Sequence, residues 1–171
     1  HRVIYADPPW QYNDSRAGLD GYSKTAAEDH YPTMSVAELS ALEVVKLSEP
    51  DSVLFCWATF PLLPDAFAVV KAWGFTYKTA FVWAKGRSNF GHYHDASAEV
   101  LLVATRGSCT PEIDRREKQV QQLERGGRHS EKPEHFRELI DRLYPSGARI
   151  ELFRRGGVPD GWSTWGNEAL P

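Results

Sequence analysis

Short apolar runs alternate along the chain with segments whose apolar residues recur at helical spacing. The runs have the length and the β-branched and aromatic content of buried strands. The predicted strands are residues 2–6, 52–58, 76–84, 98–105, 148–153 and 162–165. This alternation predicts an α/β domain with a mostly parallel sheet and helices on both faces.

The boundary residues of the helical segments predict three helices. Ser35 followed by Glu38 has the spacing of a capping box, so a short helix should begin there. A second helical pattern covers residues 61–73. A third covers residues 133–144, with Pro133 in its first turn, where the missing N–H is tolerated.

Two polar stretches, residues 11–33 and 107–129, are predicted to be long loops. Long loops in a compact domain usually carry function. Each follows a predicted strand. We therefore expect both at the edge of the sheet where the carboxyl ends of the strands meet, the place where open α/β sheets bind ligands.

Composition indicates an ordinary globular protein. With 171 residues, 42% of them hydrophobic and 25% charged, the chain is long enough for one domain, which we predict to cover residues 1–171. No apolar run is long enough to predict a membrane span, and we see no signal-peptide pattern. Cys56 and Cys109 have neither metal-ligand spacing nor a disulfide framework, which favours a reducing compartment and no metal site. The net charge of −3 argues against strong unaided binding to nucleic acid but leaves room for a local basic patch.

The most informative motif is Asp7-Pro8-Pro9-Trp10, directly after the first predicted strand. The two prolines restrict the backbone to a stiff turn. This turn would present a carboxylate, a bare carbonyl and an aromatic ring together. An exocyclic aromatic amine has two N–H donors and a π face, so it needs those three partners. The alternative is a surface turn in which Trp10 is simply a core residue.

A second group of polar residues lies in the C-terminal part of the chain. Lys132 precedes the third predicted helix, Glu151 lies on a predicted strand, and glycines follow at 156–157. A carboxylate can bind ribose hydroxyls, and glycines let the backbone approach a ligand. No Gly-x-Gly-x-x-Gly motif is present, which argues against a dinucleotide dehydrogenase. Taken alone, Lys132 could equally be a solvated charge at the start of a helix.

Taken together, these motifs resemble the adenine N6-methyltransferase family typified by the catalytic subunit of the eukaryotic messenger-RNA methyltransferase, in its bacterial and phage-borne branch. The resemblance covers nearly the whole chain. It is carried by residues 7–10, 30–35, 82–85, 91–93, 99, 132–133, 150–153, 155 and 162–167. It implies a Rossmann-like fold that depends on S-adenosylmethionine, with permuted motif order: the catalytic motif comes first and the cofactor-binding strand last.

The resemblance also implies roles for the matching residues, with S-adenosylmethionine as the only cofactor. The catalytic residues would be Asp7, Pro8, Pro9 and Trp10. The cofactor-binding residues would be Asp7, Lys132, Glu151, Leu152, Phe153, Arg155, Asn167 and Glu168. The substrate-binding residues would be Tyr12, His30, Tyr31, Lys85 and Glu99. Lys132 would meet the methionyl carboxylate of the cofactor, and Trp10 would lie at the face of the base.

Three functions are weighed on this basis. The first is methylation of N6 of adenine in nucleic acid, with DNA favoured over RNA, in the cytoplasm of a bacterial or phage-infected cell. The second is a non-catalytic nucleic-acid-binding subunit of the same fold, which the intact motif argues against. The third is another acceptor, cytosine or a protein glutamine, but Asp7 at the first position of the motif favours adenine. A partner subunit or a homodimer is compatible with all three.

Overall fold

The computed structural model describes residues 1–11, 32–89, 93–113, 116–124, 132–166 and 168–169, with the backbone alone at 87–89, 155 and 168–169. The strands are β1 Val3–Ala6, β2 Ser52–Ala58, β3 Thr76–Asn89, β4 Ala96–Arg106, β5 Val120–Leu123, β6 Arg149–Leu152, β7 Arg155–Gly156, β8 Trp162–Trp165 and β9 Glu168–Ala169. The α-helices are α1 Val36–Ala41, α2 Leu63–Ala72 and α3 His135–Leu143. Short 3-10 helices cover Val44–Leu47 and Phe60–Leu62.

Seven strands form one sheet in the order β5-β3-β4-β2-β1-β6-β8. Strand β1 is parallel to both neighbours, β2 and β6, and β6 is parallel to β8. On the other side, β4 is antiparallel to β2 and β3, while β3 is parallel to β5. Only β4 opposes the common direction in this sheet, so the prediction of a mostly parallel sheet is confirmed. The carboxyl ends of β1, β2 and β6 form one edge, called here the carboxyl edge.

Helices cover both faces of the sheet, as predicted. Successive side chains of a strand point to opposite faces, and β1 is buried along its whole length. Val3 and Tyr5 pack in the cluster that contains α3. Ile4 and Ala6 pack in the cluster that contains α1 and α2. Burial of both faces explains why the strand reads as a continuous apolar run.

The helix predictions are confirmed with small shifts at the ends. Ser35 caps α1, and the reciprocal hydrogen bonds with Glu38 form the expected capping box. The predicted segment 61–73 is divided into a 3-10 turn and α2, with a proline in the first turn of each. The third helix begins at His135, two residues later than predicted. No helix in the described ranges has both the length and the apolar character that crossing a membrane requires.

The prediction of a loop over residues 107–129 is wrong in two respects. Val120–Leu123 is a strand, β5, and is the outermost strand on one side of the sheet, where Val120 is 54% exposed. In addition, β4 is antiparallel, so its last residue Arg106 lies beside Ser52 at the start of β2. The segment therefore leaves the sheet at the edge opposite to the carboxyl edge. Only after β5, which pairs with β3 up to Lys85, does the chain return to the carboxyl edge.

Candidate active site

The Asp7-Pro8-Pro9-Trp10 motif leaves the sheet at the end of β1 and is held as a turn by backbone hydrogen bonds. The N–H of Asp7 donates to the Leu152 carbonyl at 3.5 Å. The N–H of Trp10 donates to the Pro8 carbonyl at 2.9 Å, and the N–H of Met34 donates to the Pro9 carbonyl at 2.7 Å. The sequence predicted a bare Pro8 carbonyl, but in the structure this carbonyl already accepts one hydrogen bond. It keeps a second lone pair for another donor.

Trp10 anchors this turn to the core. Its side chain is buried, with 7% of the residue exposed, and its indole N–H donates to the carbonyl of Trp57 at 2.9 Å. A buried indole N–H normally finds such a partner. The structure thus shows Trp10 in the core position that was the alternative interpretation of the motif. Contact between Trp10 and a base stays a prediction.

Four side chains of alternating charge meet at the carboxyl edge and are called here the charge row: Asp7, Lys132, Glu99 and Lys85. The Lys132 ammonium lies 2.8 Å from Oδ2 of Asp7 and 3.5 Å from Oε2 of Glu99. The other oxygen of Glu99, Oε1, accepts a hydrogen bond from Lys85. Asp7 is the most exposed side chain of the row and Lys85 the least. The row therefore runs from the surface of the edge into the domain.

The sheet topology explains why these residues meet. Asp7 follows β1, whereas Glu99 lies near the amino end of the antiparallel strand β4, which reaches the same edge. Glu99 is opposite Trp83 of β3, and Lys85 follows two residues later on the same face. Lys132 enters from the segment before α3. Three distant parts of the sequence are thus joined by four charges.

The charges of the row are mutually stabilised despite their burial. Burial raises the pKa of Glu99, but the ammonium groups of Lys132 and Lys85 outweigh this effect, so its net pKa is lowered. Glu99 is therefore an anion at neutral pH. The two lysines also lie over aromatic rings, Lys132 at 5.6 Å from the Trp57 centroid and Lys85 at 4.9 Å from the Trp83 centroid, which adds a cation–π attraction to each ammonium group.

A second charged cluster surrounds Glu151, at the end of β6. Glu151 is 7% exposed; its Oε2 lies 3.1 Å from Nε of Arg137, and its Oε1 lies 3.2 Å from Nη1 of Arg154. Arg137 comes from α3 and is buried too, and although burial lowers its pKa, the facing carboxylates raise it overall. To bind a ribose hydroxyl, as the sequence resemblance implies, Glu151 would use lone pairs that these arginines leave free.

The residues after Glu151 turn sharply. Leu152 is 1% exposed, so its side chain lies in the core, and its predicted role in cofactor binding, which would fall to its backbone, stays a prediction. Phe153 has a φ of 62°, unusual for a residue other than glycine, and its N–H donates to the Trp165 carbonyl at 2.6 Å. Its ring lies between Trp73, stacked at 6.4 Å, and Trp165, edge-on at 5.4 Å. Such backbone strain is often found at ligand sites.

The structure brings the predicted catalytic and cofactor segments together, because Asp7 and Leu152 are joined by a backbone hydrogen bond. Arg155 and Glu168 pair as backbone neighbours in the small β7-β9 sheet. Tyr12, His30, Tyr31 and Asn167 lie outside the described residues. Among the residues that are described, no group of His, Cys, Asp and Glu side chains could hold a metal ion.

Two features of the site were not predicted from the sequence. One is the pairing of Lys85 with Glu99, which leaves Lys85 only 6% exposed and therefore poorly placed to bind a substrate directly. The other is Arg137 as the partner of Glu151. A signal for Arg137 exists in the sequence, since it occupies an apolar position of α3 beside Phe136 and Ile140, where a charge requires a partner.

Comparison with known proteins gives a consistent set of matches. Residues 1–168 match the model of the family described as MT-A70. The Type II methyltransferase M.MunI of a Mycoplasma species is 36% identical over 182 residues, which cover 98% of this chain and 77% of that protein. The N(6)-adenosine-methyltransferase MT-A70-like protein of Arabidopsis thaliana is 27% identical over 177 residues, 97% of this chain and 23% of that protein. The N(6)-adenosine-methyltransferase catalytic subunit METTL3 of Homo sapiens is 28% identical over 178 residues, 97% of this chain and 28% of that protein.

Proposed function

Because this chain belongs to the MT-A70 family of adenine N6-methyltransferases, we propose that it transfers a methyl group from S-adenosylmethionine to the N6 amine of adenine in DNA. The family resemblance seen in the sequence is confirmed by the match over residues 1–168. The observation that most supports this activity is the pair of Asp7 and Lys132 at the carboxyl edge, where an amine acceptor and a carboxylate-binding cation lie side by side.

The residues of the site fit the cofactor by their chemistry. Lys132 already holds one carboxylate, that of Asp7, and the methionyl carboxylate of S-adenosylmethionine is a group of the same kind. Phe153, between two tryptophans at the end of β6, offers an aromatic surface for an adenine ring. When bound, S-adenosylmethionine supplies an electrophilic methyl sulfonium. Lys132, Glu151 and Phe153 would hold and orient it, together with the backbone that follows β6.

The motif residues then handle the amine. The nitrogen of an exocyclic aromatic amine is a poor nucleophile, because its lone pair is delocalised into the ring. The Asp7 carboxylate accepts one N–H, and the Pro8 carbonyl accepts the other with its second lone pair. This directs the nitrogen lone pair away from both acceptors. After methyl transfer the nitrogen is acidic, and its proton passes to a carboxylate oxygen of Asp7. Orientation and stabilisation of the developing charge account for most of the acceleration.

Asp7 must be released from Lys132 for this role. In the structure Oδ2 of Asp7 is engaged by the ammonium group. A second carboxylate that binds Lys132 would weaken that contact and make Oδ2 free for the amine. The order of events would then be cofactor first and base second.

DNA is preferred as the substrate because the chain is more similar to the Type II methyltransferase, at 36% identity, than to the adenosine methyltransferases, at 27% and 28%. RNA is the second candidate, since those relatives cover the same 97% of the chain. In a duplex the target base would have to leave the stack at a cost of a few kcal/mol, so single-stranded sites should react more readily. A cytoplasmic location, a single domain and a partner subunit or homodimer stay predictions.

A direct assay tests the proposal. The protein would be incubated with methyl-labelled S-adenosylmethionine and with single- and double-stranded DNA and RNA of equal sequence, and the methylated nucleoside would be identified by mass spectrometry. N6-methyldeoxyadenosine as the main product supports the proposal. N6-methyladenosine found in RNA alone would show that RNA, the second candidate, is the substrate. Methylated cytosine, or no methylated base from a folded protein that binds the cofactor, would contradict both.

A further inference from the structure

Lys85 lies at the inner end of the charge row and is its most buried member, with 6% of its side-chain surface exposed. It pairs with Glu99, whose other carboxylate oxygen faces Lys132. We propose that Lys85 is a positioning residue for methyl transfer, which neutralises the carboxylate of Glu99 and thereby keeps Lys132 available to the carboxylate of the cofactor. This inference rests on the proposed function, because it assumes that Lys132 binds the carboxylate of the cofactor.

The two oxygens of Glu99 are divided between the two lysines. Oε1 accepts from Lys85, and Oε2 faces the Lys132 ammonium at 3.5 Å. Strand pairing explains this division. Glu99 and Lys85 project from the same face of the β3–β4 pair as Trp83, and the Lys85 ammonium lies over the Trp83 ring. Glu99 is paired with Trp83 across β3–β4, and Lys85 is paired with Leu123 of β5, so both groups have fixed positions in the sheet and the carboxylate has a defined direction. Lys132, which lies before α3, faces this carboxylate at 3.5 Å and Asp7 at 2.8 Å.

Charge balance explains why this arrangement matters. The row contains two cations and two anions, all partly or fully removed from water. Without Lys85 the row would carry a surplus negative charge, and Oε1 of Glu99 would be left to compete for Lys132. A surplus anion near Lys132 repels an incoming carboxylate, and burial makes that repulsion stronger than it would be in water. Loss of Lys85 should therefore weaken cofactor binding through its effect on the charge of Glu99.

The same reasoning gives a pH signature. Lys85 is one of the two groups that lower the pKa of Glu99, against the effect of burial. In a Lys85→Met protein the pKa of Glu99 should rise, and protonation of Glu99 would remove the surplus charge. Affinity for a carboxylate-bearing ligand should then recover as the pH falls. In the unmodified protein the same transition lies at lower pH, because Lys85 keeps Glu99 ionised.

Calorimetric titration with S-adenosylhomocysteine, which carries the same carboxylate and is chemically stable, tests the inference. The proteins would be the wild type, Lys85→Met, Lys85→Arg, the double variant Lys85→Met/Glu99→Gln, and the matched control Lys78→Met, an exposed lysine of the same strand. Near neutral pH we expect Lys85→Met to weaken binding by about tenfold and Lys85→Arg by less than about threefold. Lys78→Met should bind as the wild type does. The loss in Lys85→Met should shrink toward about pH 5, and the double variant should recover most of the affinity at every pH.

The outcomes separate this inference from the proposed function. A folded wild type that binds no S-adenosylhomocysteine contradicts the proposed function itself. Wild-type binding together with unchanged affinity in Lys85→Met overturns only the role of Lys85. A loss of equal size at every pH, with no recovery in the double variant, shows a merely structural effect and overturns it as well. If Lys85→Met does not fold, Lys85→Arg decides: near-normal affinity supports the inference, and a loss of about tenfold in a folded protein refutes it.

Discussion

The ammonium of Lys132 lies 2.8 Å from Oδ2 of Asp7, although 125 positions separate the two residues in the chain. The contact joins the end of β1 to the segment before α3. It neutralises the carboxylate that the proposed chemistry needs, and it occupies one of its oxygens. A ligand carboxylate that takes Lys132 therefore also releases Asp7. In the proposed mechanism, the pair would thus couple cofactor binding to the readiness of Asp7 to accept the amine.

Replacing Asp7 by alanine should separate these two functions. Methyl transfer should fall by at least about 10²–10³-fold, the usual loss when one preorganised group is removed. Affinity for S-adenosylhomocysteine should stay unchanged or increase, because Lys132 no longer has Asp7 as a competing partner. Single-turnover rates and calorimetry measure the two quantities. Activity that survives within about tenfold would show that Asp7 does not hold the amine.

Trp10→Phe tests whether Trp10 acts as an anchor. Phenylalanine keeps an aromatic ring but leaves the buried carbonyl of Trp57 without its indole donor. Besides the indole, this carbonyl has only a long contact with the Cys56 thiol at 3.9 Å among the described side chains, and a thiol is a weak donor. Loss of the indole hydrogen bond should therefore cost about 1–3 kcal/mol in the free energy of unfolding, measured by urea titration. Trp165→Phe is the control, since Trp165 is 48% exposed and the change should stay within about 0.5 kcal/mol. Equal stability of the two variants, with a selective loss of catalytic rate in Trp10→Phe, would favour contact with the base instead.

Much of the fold follows from local patterns. The apolar run of β1, the capping box at Ser35 and the helical period of α3 each carry enough local signal to place an element. Strand direction does not, because the side-chain alternation of β4 is the same in a parallel or an antiparallel neighbour. The edge strand β5 was missed for a related reason: it is half exposed and contains only two apolar residues, so its identity depends on pairing with β3.

In the site, too, some features follow from the local sequence and others depend on long-range packing. Asp7 could be recognised because its neighbours Pro8 and Pro9 give it a distinctive local backbone. The partners of each charge could not, because they are set by strand register and by helix docking. Glu99 meets Lys85 only through the β3–β4 pairing, and Glu151 meets Arg137 only once α3 covers the sheet. Leu152 was assigned to cofactor binding by its place in a motif, whereas the alternation of β6 turns its side chain into the core.

Arg137→Met tests the buried pair with Glu151. The change leaves the buried carboxylate of Glu151 with Arg154 as its remaining ion-pair partner among the described residues. Breaking a buried pair from one side costs about 3–5 kcal/mol, and we expect the lower end of that range because Arg154 remains. Arg142→Met, on the exposed side of the same helix, should cost no more than about 1 kcal/mol. The double variant Arg137→Met/Glu151→Gln should regain part of the stability, and failure to do so would show that Arg137 acts by packing rather than by charge.

Gly166→Ala should disturb the cofactor side of the site. An added Cβ would lie 2.9 Å from the backbone nitrogen of Arg154 and 3.0 Å from Cα of Phe153, so the turn after β6 has to move. We expect a loss of about 1–3 kcal/mol in the free energy of unfolding, together with weaker binding of S-adenosylhomocysteine because Phe153 is displaced. Gly157→Ala is a matched control in the same region, since nothing lies within 4 Å of its added Cβ. It should change stability by less than about 0.5 kcal/mol and leave binding intact. If Gly166→Ala loses stability but keeps full affinity, Phe153 and the turn around it are structural and do not contribute to the cofactor site.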